Sequence, residues 1–197
     1  MPETDKPLEI ALFPSSSHLL PDGRMDVTIC EARHIQMLKD SLAGVRQFAV
    51  CMLNEMEEDS DVKKIPAIAT LCKVINFDQL EGGLLSIALE GTHKVRLLSI
   101  RVEDDGLMRA KCTYFPNWDY LPLESKDNEL AEKLKVFYQS VPEIGAFYPD
   151  PEFDDLCWVC QRWIEVLPLE VHYKQLLITQ DSPRLTVRFL HKLFLTD

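Results

Sequence analysis

Aliphatic and β-branched residues recur in short runs through the first 115 residues, and loops or turns separate these runs. The clearest run is LMRAKCTYF, residues 107–115, where apolar positions alternate with arginine, lysine and threonine. Such period-two alternation predicts a strand with one buried face and one wet face. The apolar positions are Met108, Ala110, Cys112 and Tyr114. Five further runs predict more strands: LEIALF, QFAVCML, AIATLCKVINF, LLSIALEG and HKVRLLSIRVED.

Turn-forming residues separate several of these runs, notably Gly82 with Gly83, Gly91, and the triplet 104–106. Short connections join antiparallel neighbours, so we predict a meandering antiparallel sheet or a partly closed barrel. One helix is predicted to interrupt this sheet. Thr28 to Glu31 match a capping box, and Ile35, Leu38 and Leu42 then share one helical face.

The pattern changes to helical spacing after Tyr120. Apolar residues at intervals of three and four predict helices over 130–141 and 153–167, a third over 170–179, and a last one from Ser182 to about Leu195. We therefore predict an α+β fold: an antiparallel β pseudo-barrel subdomain with one inserted helix, then a C-terminal helical bundle. The predicted boundaries are 1–118 and 119–197.

Charge and hydropathy narrow the function classes. The 197 residues carry a formal net charge of −11, which argues against a nucleic-acid surface built from clustered lysine and arginine. No apolar stretch approaches the ~18 residues of a membrane span, and the acidic N-terminus does not resemble a signal peptide. We expect a cytoplasmic protein that binds neither nucleic acid nor membrane. Its six cysteines are then expected as reduced thiols, mostly buried. The acidic run at 54–61 lacks calcium-loop spacing and is predicted to be a solvated loop.

Three features could carry chemistry. FPSSSHLLPDGR, residues 13–24, places serines beside His18, but sequence neighbours rarely form a catalytic pair, and we predict a polar loop. Cys157 and Cys160 form a CxxC that falls on the apolar stripe of a predicted helix. We predict core packing for this pair, with metal binding and redox chemistry as alternatives. The chain lacks GxxxxGK[ST], GxGxxG, HExxH and GxSxG motifs. We predict no metal and no cofactor.

Four aromatic residues are the candidate contact residues. Phe147 and Tyr148 occupy a loop between two predicted helices, where they either fill the core or form an exposed patch. Trp118 and Tyr120 lie in the connector PNWDYLPLES, which is rich in proline and aromatics. We predict that these four side chains contact polypeptide.

LFPSSSHLLPDGRMDVTICEARHIQML resembles the opening of the Lon N-terminal domain family, the substrate-recognition domain of ATP-dependent Lon proteases. The matching positions are Leu12, Phe13, Pro14, Pro21, Gly23, Ile29, Glu31 and Arg33. The segment 68–100 is similar to the family's paired strands, with Gly83, Gly91 and Arg96 in characteristic places. The segment 167–194 is similar to its closing helices. The resemblance spans residues 8–195.

The resemblance implies a non-enzymatic polypeptide-binding module of the stand-alone bacterial kind, without the ATPase and protease parts. Its expected partners are unfolded or hydrophobic polypeptide segments, presented to a separate protease or ATPase. A client could pair with an exposed strand edge, or place apolar side chains in a groove between the two predicted parts. The alternatives are a small-molecule-binding or enzymatic protein using His93, Arg96 or the Cys157/Cys160 pair, and a regulator that docks on a folded partner.

Overall fold

In the part of the chain that the structure describes, six strands form one sheet that closes on itself. The computed structural model describes residues 6–54 and 65–194. The strands are β1 (Leu8–Ser15), β2 (Arg24–Ile29), β3 (Phe48–Met52), β4 (Ile68–Gln79), β5 (Leu85–Val102) and β6 (Met108–Tyr114). Their order is β2-β5-β4-β3-β1-β6, and an additional β5–β6 pairing closes five of them into a ring. The predicted pseudo-barrel is confirmed.

One pair in this ring is parallel, which the predicted meander did not include. Ala11 to Ser15 of β1 run alongside Phe48 to Met52 of β3, whereas the other five strand pairs are antiparallel. A parallel pair needs a long crossover connection. β2 and the inserted helix α1 (Ala32–Leu42) provide it, since both lie in the chain between β1 and β3.

β3 is buried on both of its faces. All five of its residues are buried. Ala49 and Cys51 belong to the cluster inside the ring, whereas Phe48 and Val50 pack in a second cluster with α1. The α1 residues in that cluster are Met37 and Leu38. This double coverage explains why β3 appears in the sequence as a continuous apolar run rather than an alternating one.

The predicted capping box before α1 is not formed. Thr28 lies within β2, where it pairs with Ser86, so it cannot cap the helix. Glu31 takes the N-cap position without a side-chain hydrogen bond to the backbone. Leu42, expected on the buried face, is 61% exposed because the helix ends there. Gly44, at a φ of 71°, and Val45 close the helix by donating to Ser41 and Asp40, which is a Schellman motif.

Gly91 allows the loop after β1 to cross β5 at very short range. Its amide donates to the Gly23 carbonyl at 2.9 Å, and its carbonyl accepts from the Asp22 amide at 3.0 Å. A Cβ at this position would lie within 2.2 Å of the Leu20 carbonyl oxygen. The close approach of two backbones therefore requires glycine here.

We expect Gly91→Ala to lower the free energy of unfolding by about 3 kcal/mol, because the obstacle is backbone and cannot rotate away. Urea unfolding followed by far-UV circular dichroism measures the change. Ser99→Ala introduces the same side chain at an exposed position of the same strand and should change stability by less than about 0.5 kcal/mol. Equal effects from the two variants would show that the crossing is not tightly constrained.

In the described chain, α-helices are the main regular structure after β6. They are α2 (Asn128–Ser140), α3 (Pro142–Gly145), α4 (Leu156–Val166), α5 (Val171–Ile178) and α6 (Arg184–Phe194). Their core includes Leu130, Leu134, Val159, Ile164 and Leu190, each fully buried. The predicted helical bundle is confirmed. α2 ends at Ser140, since Val141 leaves the helical region and Pro142 opens the short α3.

The chain divides into two compact units by its internal contacts, one reaching Pro116 and one beginning at Asn117. We call these the N-terminal unit and the C-terminal unit. None of the helices in 6–54 and 65–194 has both the length and the apolar character needed to cross a membrane. The acidic run that was predicted as a loop lies outside the described residues from position 55 onward.

Candidate functional site

A groove of about 500 Å³ opens on the C-terminal unit. One wall comes from the last turns of α2, a second from α3 and the residues after it, and a third from the segment before α4. We call it the aromatic groove. Its lining residues are Lys135, Tyr138, Gln139, Pro142, Gly145, Ala146, Tyr148, Pro151 and Phe153.

Helical spacing places Tyr138 at the base of this groove. Leu130, Leu134 and Tyr138 recur every four residues along α2 and are all buried, so they share the face that packs into the unit. Gly145 of α3 passes directly beside this tyrosine. A Cβ on Gly145 would lie 2.6 Å from the Tyr138 carbonyl oxygen. A glycine at 145 therefore lets α3 pack closely enough against α2 to form the groove wall.

The aromatic side chains of the groove form one contiguous cluster. The Tyr138 and Tyr148 rings stack with centroids 5.4 Å apart and an interplanar angle of 14°. Trp158 of α4 contacts both Tyr148 and Phe153 edge to face, at 5.4 and 5.7 Å. Phe147 packs edge to face on Tyr148 at 6.5 Å. Such pairs hold one another in position, so the apolar surface of the groove is preformed.

A buried ion pair supports this cluster. The Arg162 side chain is fully buried, and its Nε and Nη2 donate to the two carboxylate oxygens of Glu165 at 2.7 and 3.0 Å. The guanidinium also lies 5.8 Å from the Tyr148 ring centroid and 5.3 Å from that of Trp158. Burial acts to lower the pKa of Arg162, but Glu165 together with Tyr148 and Tyr138 outweighs it, so the pKa is raised and the group stays charged.

The ionisable side chains that line the groove are two tyrosines and one lysine. Burial raises the pKa of Tyr138, with Tyr148 acting in the same direction, so the phenol remains neutral. Lys135 donates to Glu132 at 2.7 Å. The described residues that line the groove include no serine, cysteine, histidine or carboxylate. The paired nucleophile and base of a covalent catalyst are therefore not among them.

Only part of the predicted contact set meets at this groove. Tyr148 lines it, and Phe147 packs on Tyr148. Trp118 is 7% exposed, and its indole N–H donates to the Gln180 carbonyl at 2.8 Å. Tyr120 is 61% exposed but does not line the groove. Its neighbour Leu121 donates its amide to Asp155, the residue that caps α4.

The other sequence candidates lie elsewhere. Cys157 and Cys160 are buried in α4 as free thiols, as the core-packing interpretation predicted. Burial raises the pKa of Cys157 to about 12, and it also raises the pKa of Cys160. His93 and Arg96, the residues of the enzymatic alternative, lie on β5 of the N-terminal unit. Within 6–54 and 65–194, no cluster of three metal-ligating side chains occurs. In the serine-rich stretch, Ser15 ends β1 and its hydroxyl accepts from the Ser17 amide.

Sequence reasoning missed three main features of the groove: Tyr138, Phe153 and Gly145. The signal for Tyr138 was its spacing of four from Leu134. Phe137 lies three residues from Leu134, so helical spacing allowed either Phe137 or Tyr138 on the buried face, and Phe137 was the predicted one. Phe153 was assigned to the next helix, which begins only at Leu156. No sequence pattern marked Gly145, whose role depends on the close passage of α3.

The comparison with known families is decisive. The family described as ATP-dependent protease La (LON) substrate-binding domain matches residues 9–186. The chain belongs to this family. The match covers nearly the whole sequence, and the resemblance drawn from its motifs is confirmed. The LON substrate-binding domain is not itself the catalytic part of the protease.

Solved structures show the same fold. The crystal structure of a Lon N-terminal domain protein from Xanthomonas campestris is similar, with a TM-score of 0.71 and 24% identity over 92% of this chain and 96% of that one. The N-terminal domain of the Mycobacterium avium complex Lon protease has a TM-score of 0.61 and 14% identity, covering 93% of this chain and 96% of that one. No curated protein matches the sequence.

Proposed function

We propose that this LON substrate-binding domain protein binds exposed apolar segments of other polypeptides, and that the aromatic groove receives them. The observation that carries the proposal is the groove itself: a preformed apolar surface of tyrosine, phenylalanine and proline side chains. The family description, a substrate-binding domain, supports the same reading. Tyr148 and Phe147 are the proposed contact residues from the sequence prediction.

The size of the groove suits individual apolar side chains rather than the surface of a folded protein. Burial of one leucine or phenylalanine side chain contributes about 1.5–3 kcal/mol. A groove of about 500 Å³ has room for a few such side chains. The resulting affinity is expected to be weak, in the micromolar range, because association also costs translational and conformational freedom. Weak, broad binding suits a module that samples many unfolded clients.

We further propose that the protein acts without chemistry of its own, in the cytoplasm, and hands its clients to a separate protease or ATPase. The family description, which names an ATP-dependent protease, supports this role. The lining of the groove, with no paired nucleophile and base among the described residues, supports the non-enzymatic reading.

Fluorescence anisotropy with a labelled, permanently unfolded polypeptide tests the proposal. We expect saturable micromolar binding that Tyr148→Ala and Phe147→Ala each weaken at least tenfold, since each removes aromatic surface. Ala146→Phe fills the groove from an exposed position without removing any packing, and should weaken binding similarly. Tyr173→Ala is the matched control, because Tyr173 is an exposed tyrosine of the same unit that does not line the groove. Tyr120→Ala tests the predicted connector contact separately.

A folded protein of equal size serves as the negative ligand. Binding of the unfolded chain that survives Ala146→Phe would show that the groove is not the binding surface. No binding at high micromolar concentration would contradict the proposal altogether. Preference for the folded ligand would instead favour a regulator that docks on a folded partner.

A small apolar molecule is the second candidate ligand, because the groove volume lies within the range of small-molecule sites. Trp158 contacts two aromatic residues of the groove lining, so its fluorescence should respond to such a ligand. Three results together would favour this candidate. The protein would bind no unfolded chain, small aromatic compounds would quench its tryptophan fluorescence, and Ala146→Phe would abolish that quenching.

A further inference from the structure

The structure also specifies the chemical class of segment that the aromatic groove takes, an inference that rests on the proposed function. We propose that the preferred ligand is an apolar anchor flanked by lysine or arginine. The apolar side chain occupies the groove, and the flanking cations lie beside the carboxylates around its mouth.

The charge around the groove carries this inference. The segment 143–155 contributes four of the groove's lining side chains after Gly145, namely Ala146, Tyr148, Pro151 and Phe153. It also contains five carboxylates and no lysine or arginine. These carboxylates are Glu143, Asp150, Glu152, Asp154 and Asp155, of which the first four are exposed. Asp155 caps α4 and is engaged there.

The cations near the groove are already neutralised. Lys135, the basic residue of the lining, pairs with Glu132 at 2.7 Å. Arg162 pairs with Glu165 and is fully buried. The segment 143–155 and these two ion pairs together therefore carry a net negative charge, and like charges would repel an acidic segment.

The ligand's cation is expected at the rim rather than inside the groove. Cations that belong to the protein already lie over the aromatic faces: Lys135 over Phe153 at 5.2 Å, and Arg162 over Tyr148 and Trp158. The protein's own cations already cover these faces of the rings. The groove is therefore not a cage for a cationic headgroup, and its interior favours an uncharged side chain.

Three labelled peptides that share one leucine–phenylalanine anchor test the inference. Their flanks carry two lysines, two serines or two glutamates on each side. At low ionic strength we expect the lysine-flanked peptide to bind about tenfold more tightly than the serine-flanked one, and the glutamate-flanked peptide to bind most weakly. The differences should shrink several-fold at 0.5 M salt, because exposed charges are screened.

Two triple variants of equal net charge separate local from global effects. Glu143→Gln/Asp150→Asn/Glu152→Gln neutralises the rim and should bring the lysine-flanked and serine-flanked affinities to within about twofold. Asp26→Asn/Glu81→Gln/Asp104→Asn neutralises three exposed carboxylates of the N-terminal unit and should leave the preference in place. Circular dichroism confirms that both variants keep their secondary structure.

Each outcome has a distinct meaning. Equal binding of all three peptides overturns the charge preference and leaves the proposed function standing. Equal loss of preference in both triple variants also overturns it, since net charge alone would then attract the lysines. If no peptide binds, the serine-flanked one included, the proposed function fails first.

Discussion

Replacing Glu165 by leucine is expected to lower the free energy of unfolding of the C-terminal unit by about 3–5 kcal/mol, because it leaves a buried cation without its partner. Arg162 is fully buried, and both of its hydrogen bonds to Glu165 are at or below 3.0 Å. The guanidinium cannot escape this cost by deprotonating in the ordinary pH range. Its contacts with Tyr148 and Trp158 also mean that any displacement would disturb the aromatic groove.

The double variant Arg162→Met/Glu165→Leu should recover most of this loss, since replacing both partners of a buried pair by apolar groups is often neutral. All three tryptophans lie in the C-terminal unit, at 118, 158 and 163, so tryptophan fluorescence during urea unfolding reports on this unit alone. Glu129→Leu breaks an exposed pair with Lys133 on α2 and should cost less than about 0.5 kcal/mol. A double variant no more stable than Glu165→Leu would contradict the explanation.

Raising the pH from 8 to 10 is expected to lower the free energy of unfolding of the N-terminal unit by about 3 kcal/mol. Burial raises the pKa of Cys51 to about 12 and that of Cys112 to about 11, and raises that of Cys72 as well. In the unfolded chain these thiols release their protons near pH 8.5. Above that value the unfolded state binds fewer protons than the folded state, so stability is lost as the pH rises.

One group in the same unit opposes this trend. Burial lowers the pKa of Lys94 to about 8, whereas an unfolded lysine titrates near 10.4. The cost of burying its charge is fully present below pH 8 and is relieved as the pH rises toward 10, so Lys94 adds stability over this window. Three thiols outweigh one ammonium, and the net change is a loss.

Urea unfolding by far-UV circular dichroism at pH 8 and pH 10, in the presence of a reductant, measures this dependence. Cys51→Ala removes one of the three thiols and should reduce the dependence on pH, although it lowers stability at both values by creating a cavity. A free energy of unfolding that stays constant or increases up to pH 10 would show that the thiols ionise in the folded barrel.

The sequence was sufficient for the fold class because the two halves use different hydrophobic periods. In β6 the central residues Ala110, Lys111 and Cys112 alternate between buried and exposed, although Tyr114 at the strand end is 45% exposed. The buried residues of α2 recur at intervals of three and four, as the helical prediction requires. The parallel β1–β3 pair was not predictable in the same way. β3 is covered on both faces, and a continuous apolar run carries no information about which neighbour it joins or in which direction.

The site was only partly predictable, for a related reason. Tyr148 and Phe147 were identifiable as aromatics in a polar loop, because such a position is unusual in any sequence. Tyr138 reaches the groove only because α3 passes close to it at Gly145. In the sequence, Arg162 falls on a predicted helix and resembles a surface charge. The structure shows its ion pair with Glu165, one turn later, at 2.7 Å. These roles depend on tertiary packing, which periodicity does not record.

The closure of the barrel bears on the order in which this chain acquires its structure during synthesis. β1 lies opposite β6, with Leu8 paired to Cys112, so one edge of the first strand to be made stays unpaired until nearly the whole N-terminal unit has been translated. Contacts of such long sequence separation form slowly. The nascent chain therefore presents an open strand edge, a site for unwanted pairing with neighbouring chains, until β6 has been made.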